Sequence, residues 1–82
     1  MITGAQIRGA RGLLGWTASD LAQRAGTTRF TIQRLEQHDG IPPSRSQTLV
    51  DLQRAFEAAG VEFIGTETEP GVILRRRSDG QG

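Results

Sequence analysis

The sequence predicts a mainly α fold: four short helices followed by a small C-terminal β-hairpin or strand pair. Three observations carry this expectation. Ser and Thr residues recur just ahead of apolar positions at helical spacing, each with Gln or Asp three residues further on. Glycines fall where those helical patterns stop. After residue 60 the chain becomes rich in β-branched residues, and its apolar period changes from helical to extended.

Thr3 is placed as the N-cap of a helix beginning near Gly4, with Gln6 as its capping-box partner and Ile2 and Ile7 as the hydrophobic staple. Ile7, Ala10, Leu13 and Leu14 form its apolar stripe. Gly9 and Gly12 weaken it, and Gly15 supplies a left-handed stop. The same grammar opens a second helix over Ala18–Ala25. Thr17 caps it, Asp20 takes the box position, Trp16 and Leu21 form the staple, and Gly26 ends it. A third helix follows Thr27 or Thr28, turns Ile32 and Leu35 inward and ends near Gln37 or His38.

Pro42 and Pro43 stiffen the connection over residues 38–45. Ser44 and Gln47 repeat the capping-box spacing ahead of a fourth helix lined by Leu49, Leu52, Phe56 and Ala59, which Gly60 ends. "VEFI" at 61–64 and "GVILR" at 71–75 then read as strands joined by a polar linker. The chain therefore divides into a helical domain at 1–60, a strand extension at 61–76 and a tail at 77–82 with nothing to bury.

An 82-residue chain has a small core, which a partner subunit would help to complete. It has no cysteine, so disulfides and thiol chemistry are excluded, and its single His38, expected at a solvent-facing helix end, cannot build a metal site alone. No apolar run is long enough to span a membrane and the N-terminus lacks a secretory pattern, so a cytoplasmic location is expected. The net charge of +1 conceals polarity. Residues 1–37 carry five arginines against Asp20 and Glu36, a net +3, whereas residues 51–69 carry Arg54 against five acids, a net −4. One face is thus suited to a polyanion. The carboxylates are dispersed, no phosphate-cradling glycine loop is present, and no Ser or Thr has an evident base; neither an enzyme nor a cofactor is expected.

Two short helices joined by a turn containing Gly make a helix-turn-helix, here with Ala22 at the crossing, Gly26 in the turn, and Ile32 and Leu35 as anchors. "ARGLLGWTASDLAQRAGTTRFTIQRLEQ" resembles the Cro/Xre-type repressor helix-turn-helix family, small DNA-binding regulators of bacteria and their phages, with the likeness extending over roughly residues 5–60. The resemblance implies a phage-repressor-like fold whose recognition helix, about residues 28–37, enters the major groove of double-stranded DNA. Thr28, Arg29, Phe30 and Arg34 then face base edges, while the start of helix two and the loop after helix three touch phosphates. Glu36 matches the acidic residue usual near the end of that helix. One departure is Ala18, where family members commonly have Gln; Thr17, Ser19 or backbone N–H groups are left to hold the phosphate there.

Side-chain chemistry points the same way. Arg29 offers a bidentate pair to guanine, Arg34 stays on roughly the same face, and Thr28 and Thr31 permit close approach. Phe30 suits either a thymine methyl or the core. Trp16 reads as core. Arg11, Ser44, Arg45 and Ser46, with Thr17, Ser19 and Thr27, are the expected phosphate contacts. Val61, Phe63, Ile64, Val72, Ile73 and Leu74 are the expected interface of a homodimer, because an exposed apolar strand edge is a template for its own copy. Such a regulator would read two half-sites about 34–36 Å apart. The alternative is an antitoxin or other interaction module whose C-terminal strands bind a different protein. Arg75–Arg77 read as a phosphate arm or a solubilising tail.

Overall fold

The computed structural model describes residues 1–75; the expectations for Arg76, Arg77 and the tail lie outside these residues. Four helices, α1 (Gly4–Leu14), α2 (Ala18–Ala25), α3 (Arg29–Glu36) and α4 (Ser46–Ala58), precede an antiparallel hairpin of β1 (Val61–Gly65) and β2 (Pro70–Leu74). The fold is mainly α with a small β-hairpin, as the sequence predicts.

The first two capping boxes form as the spacing requires. The Thr3 hydroxyl accepts the Gln6 N–H, and the Gln6 side chain accepts the Thr3 N–H at 2.9 Å. Thr17 and Asp20 do the same at α2. Thr28, not Thr27, caps α3 by accepting the Thr31 N–H. The third expected box is absent. Ser44 is one residue early: Arg45 occupies the N-cap of α4 without a side-chain cap bond, and Gln47 donates to Asp51 at 2.8 Å instead. Arg45, at φ −65° and ψ 140°, is the last extended residue before the helix, so the box spacing that starts at Ser44 falls one position short of it.

Ile7, Leu21, Ile32, Leu35, Leu52 and Phe56 are fully buried where the four helices meet, with Ile2, Ala10, Ala22, Leu49 and Val61 closing around them. Each large side chain contributes about 1.5–3 kcal/mol of apolar burial. Trp16 covers one flank, stacked on Phe56 at 5.8 Å between ring centroids, and Phe63 meets the same ring edge-on. In the α2–α3 turn Gly26 adopts φ 74° and ψ 35°, a left-handed conformation in which glycine lacks the Cβ clash. Gly4 is required for a different reason. A Cβ there would sit 1.8 Å from the His38 carbonyl oxygen and 2.6 Å from that of Leu35, because the first turn of α1 abuts the last turn of α3.

The hairpin pairs Val61 with Leu74, Phe63 with Val72 and Gly65 with Pro70. The strands therefore bond to each other within the chain. Val61, Phe63, Val72 and Leu74, four of the residues expected at a dimer interface, pack on the chain's own core, whereas Ile64 is exposed and Ile73 half-buried. Gln6 links this sheet to α1: its amide N–H donates to the carbonyls of Ile64 at 3.1 Å and Gly71 at 2.9 Å.

The two glycine environments in α1 make opposite predictions. Gly4→Ala should cost about 1–3 kcal/mol by overpacking. Gly12→Ala, with no atom within 4 Å of the added Cβ, should gain about 0.5–1 kcal/mol from helix propensity. Chemical denaturation of both variants checks the pair.

Candidate nucleic-acid interface

Helix α3 is divided lengthwise by its own sequence. Ile32 and Leu35 are fully buried, while Arg29, Phe30, Gln33, Arg34 and Gln37 are exposed on the opposite side. At 3.6 residues per turn, Arg29, Gln33 and Gln37 follow one another at i, i+4 and i+8, with Phe30 and Arg34 alongside. Phe30 is 68 % exposed and so takes no part in the core; its ring lies 5.1 Å from the Arg29 guanidinium carbon. Thr28 is exposed, but its hydroxyl serves the cap. Thr31 is half-buried, with its own hydroxyl 3.2 Å from that of Thr28. The outward face is thus Arg29, Phe30, Gln33 and Arg34, with the two threonines at its margin. Gln33 was not among the residues expected at this face, although counting four residues on from Arg29 places it there.

The cations near α3 fall into two groups. Arg8 pairs with Asp39 at 2.8 Å and also donates to the Glu36 carbonyl. Arg11 forms a forked pair with Glu36 at 2.6 and 2.9 Å and donates to the Trp16 carbonyl at 2.9 Å. Hydrogen bonding to Glu36 holds the Arg11 guanidinium above its ordinary pKa, against the opposing effect of partial burial. Arg24 lies over the Trp16 ring at 4.3 Å. In contrast, Arg29, Arg34 and Arg45 have no carboxylate partner among the described residues. Arg34 donates to the Pro43 carbonyl at 3.2 Å, which ties the last turn of α3 to the connection leading into α4.

Two helix starts flank this face. At α4, Arg45 and Ser46 are exposed and Ser44 is half-buried. The Thr48 and Leu49 N–H groups return to the Arg45 carbonyl, while those of Ser46 and Gln47 find no acceptor among the described residues. An uncapped helix start beside an arginine has free donors and positive potential. At α2 the potential is different. The Thr17 hydroxyl and N–H are used by the capping box, leaving the exposed Ser19 with the Ala18 and Ser19 N–H groups as open donors. The Thr17 backbone N–H first, then its side chain, with help from Arg24, hold the Asp20 carboxyl below the usual carboxylate range. An anion therefore already occupies that helix start. Thr27 is half-buried, its N–H bonded to the Ala22 carbonyl at 3.0 Å.

No cluster of three or more His, Asp or Glu side chains converges on a metal-sized site among the described residues, and no helix there is long and apolar enough to cross a membrane. Compared with known proteins, the chain matches no family model and no curated sequence.

Two measurements test this electrostatic layout. A double-mutant cycle of Arg11→Ala and Glu36→Ala should return a coupling of about 1–3 kcal/mol, since both side chains are largely removed from water. The Asp20 carboxyl, depressed in the folded state, stabilises the protein above the unfolded carboxylate value of about 4. That contribution should disappear as pH falls through the lower folded value. Urea titrations across the acid range should show a shallower acid loss for Asp20→Ala than for the parent.

Proposed function

We propose that this chain is a sequence-specific double-stranded DNA-binding transcriptional regulator of the Cro/Xre helix-turn-helix type, acting as a homodimer with α3 in the major groove. One observation carries the reading. Helix α3 fills the core with Ile32 and Leu35 while presenting Arg29, Phe30, Gln33 and Arg34 outward, its arginines unpaired with any carboxylate among the described residues.

The division of labour follows from the chemistry. Arg29 and Arg34 suit guanine O6 and N7, Gln33 suits adenine N6 and N7, and Phe30 suits a thymine methyl. Arg45, Ser44, Ser46 and the free N–H groups at the start of α4 suit a phosphate and set the register of α3 without reading sequence. Ser19 and the open amides of α2 take a second phosphate at the other flank, weakened by the Asp20 charge. Arg11 acts through Glu36 and the Trp16 carbonyl, orienting α3 rather than touching DNA. A second reading, an antitoxin or other module whose hairpin binds a different protein, draws on the exposed Ile64.

Fragments of duplex DNA retained by the protein and then sequenced would supply the preferred site. On that site, Arg29→Ala should relax preference at one base pair, costing about 1–3 kcal/mol of discrimination. Arg45→Ala should weaken all sequences alike and lower the salt slope by about one. Titrations at several salt concentrations check both. Absence of affinity for any duplex at low ionic strength would remove the proposal.

A further inference from the structure

The chain has one Trp, three Phe and no Tyr, and all but one of these rings serve the interior. Trp16 stacks on Phe56, and Phe63 meets the same ring edge-on. Phe30 is the exception, left 68 % exposed. A single apolar side chain in water is ordinary. Its setting is not. Phe30 stands in the first turn of α3 beside Arg29, whose guanidinium carbon lies over the ring at 5.1 Å from the centroid, within the cation–π range.

The two arginines of this helix differ in what they have left to offer. Arg34 spends an N–H on the Pro43 carbonyl, whereas the Arg29 side chain has neither a hydrogen-bond acceptor nor a carboxylate among the described residues. A guanidinium meets two partners through different parts of itself. Its flat face rests on a ring while the fork at its edge stays open to a planar pair of acceptors, such as guanine O6 and N7 in the major groove. A ring seated against that face then stands at the level of the adjoining base pair, one rise of about 3.4 Å along the strand. At that level the bases differ in one apolar group. Thymine carries a methyl at C5, as does 5-methylcytosine, and no other base edge in the groove is apolar. On the 5′ side of guanine this methyl overhangs the arginine.

We infer that α3 reads a two-base step, a pyrimidine methylated at C5 followed by guanine, with Arg29 on the guanine and the methyl enclosed by Phe30 and the Arg29 face. The inference rests on the DNA-binding reading above and specifies the chemistry that the helix selects. Arg29 alone would read guanine in any context. The ring makes that contact depend on the neighbouring base, so affinity follows the methyl group itself, whether thymine or methylated cytosine supplies it.

The duplex retained from genomic fragments serves as the probe, titrated with the full chain. It should contain a TG step or a methylated CG step. Replacing thymine by uracil at a TG step deletes only the methyl and should weaken binding about threefold or more. With the step changed to CG, methylation of the cytosine at C5 should strengthen binding by a similar factor. Guanine replaced by 7-deazaguanine loses N7 and should also bind more weakly. Phe30→Ala, at an exposed position, should abolish both methyl responses and keep the 7-deazaguanine response, while Arg29→Ala should lose the latter; circular dichroism confirms both folds. A response to one methyl alone assigns the step to thymine or to methylated cytosine, and supports the inference. Retained fragments with neither step, no response to either methyl, or methyl responses undiminished in Phe30→Ala would overturn it. A parent that binds duplex DNA without any methyl response leaves the proposed function standing, whereas no binding to any duplex removes both.

Discussion

The forked contact between Arg11 and Glu36 ties together three parts that the rest of the structure needs in fixed relation. Arg11 lies on α1, Glu36 ends α3, and the Trp16 carbonyl that Arg11 also engages belongs to the turn leading into α2. One guanidinium therefore sets the orientation of the exposed helix against both of its supports. Its planar five-donor geometry matters here, because lysine could satisfy the charge but not both directions at once. Arg8 reinforces the same junction through Asp39 and the Glu36 carbonyl.

This junction also sorts the positive charge. Arg8 and Arg11 are matched internally, so the positive charge of the basic half is left to Arg29 and Arg34 on α3 and to Arg24 over the Trp16 ring, with Arg45 added at the start of α4. The acids at Glu62, Glu67 and Glu69 belong to the hairpin. The separation is one of elements and not of distance, since Glu67 comes beside Gly40 in the α3–α4 connection.

Local rules were readable in the sequence where they depend on neighbours a few residues apart. The boxes at Thr3 and Thr17, the left-handed stops at Gly15 and Gly26, and the burial of Ile32 and Leu35 all follow from short spacings. Ser44 failed as a cap because α4 begins one residue later than the box spacing implies, with the extended Arg45 at its N-cap. At the candidate interface, exposure of Arg29 and Arg34 was legible from helical periodicity, and Gln33 was available from the same count. The engagement of Arg11 was not legible, since its partner lies 25 positions away. Nor was the inward face of the hairpin: alternation divides a strand into two sides without saying which side a helix covers.

The crowding of Gly4 against the carbonyls of Leu35 and His38 leaves the end of α3 no slack relative to α1. With Ile32 and Leu35 fully buried as well, reorientation of the exposed helix would disturb the core. Under the proposed function, such a helix meets DNA already ordered and loses little conformational freedom on docking. Any misfit at a poor site must then be absorbed by side-chain rotamers or by bending of the duplex, so the stiffness of non-contacted base pairs becomes part of what the protein distinguishes.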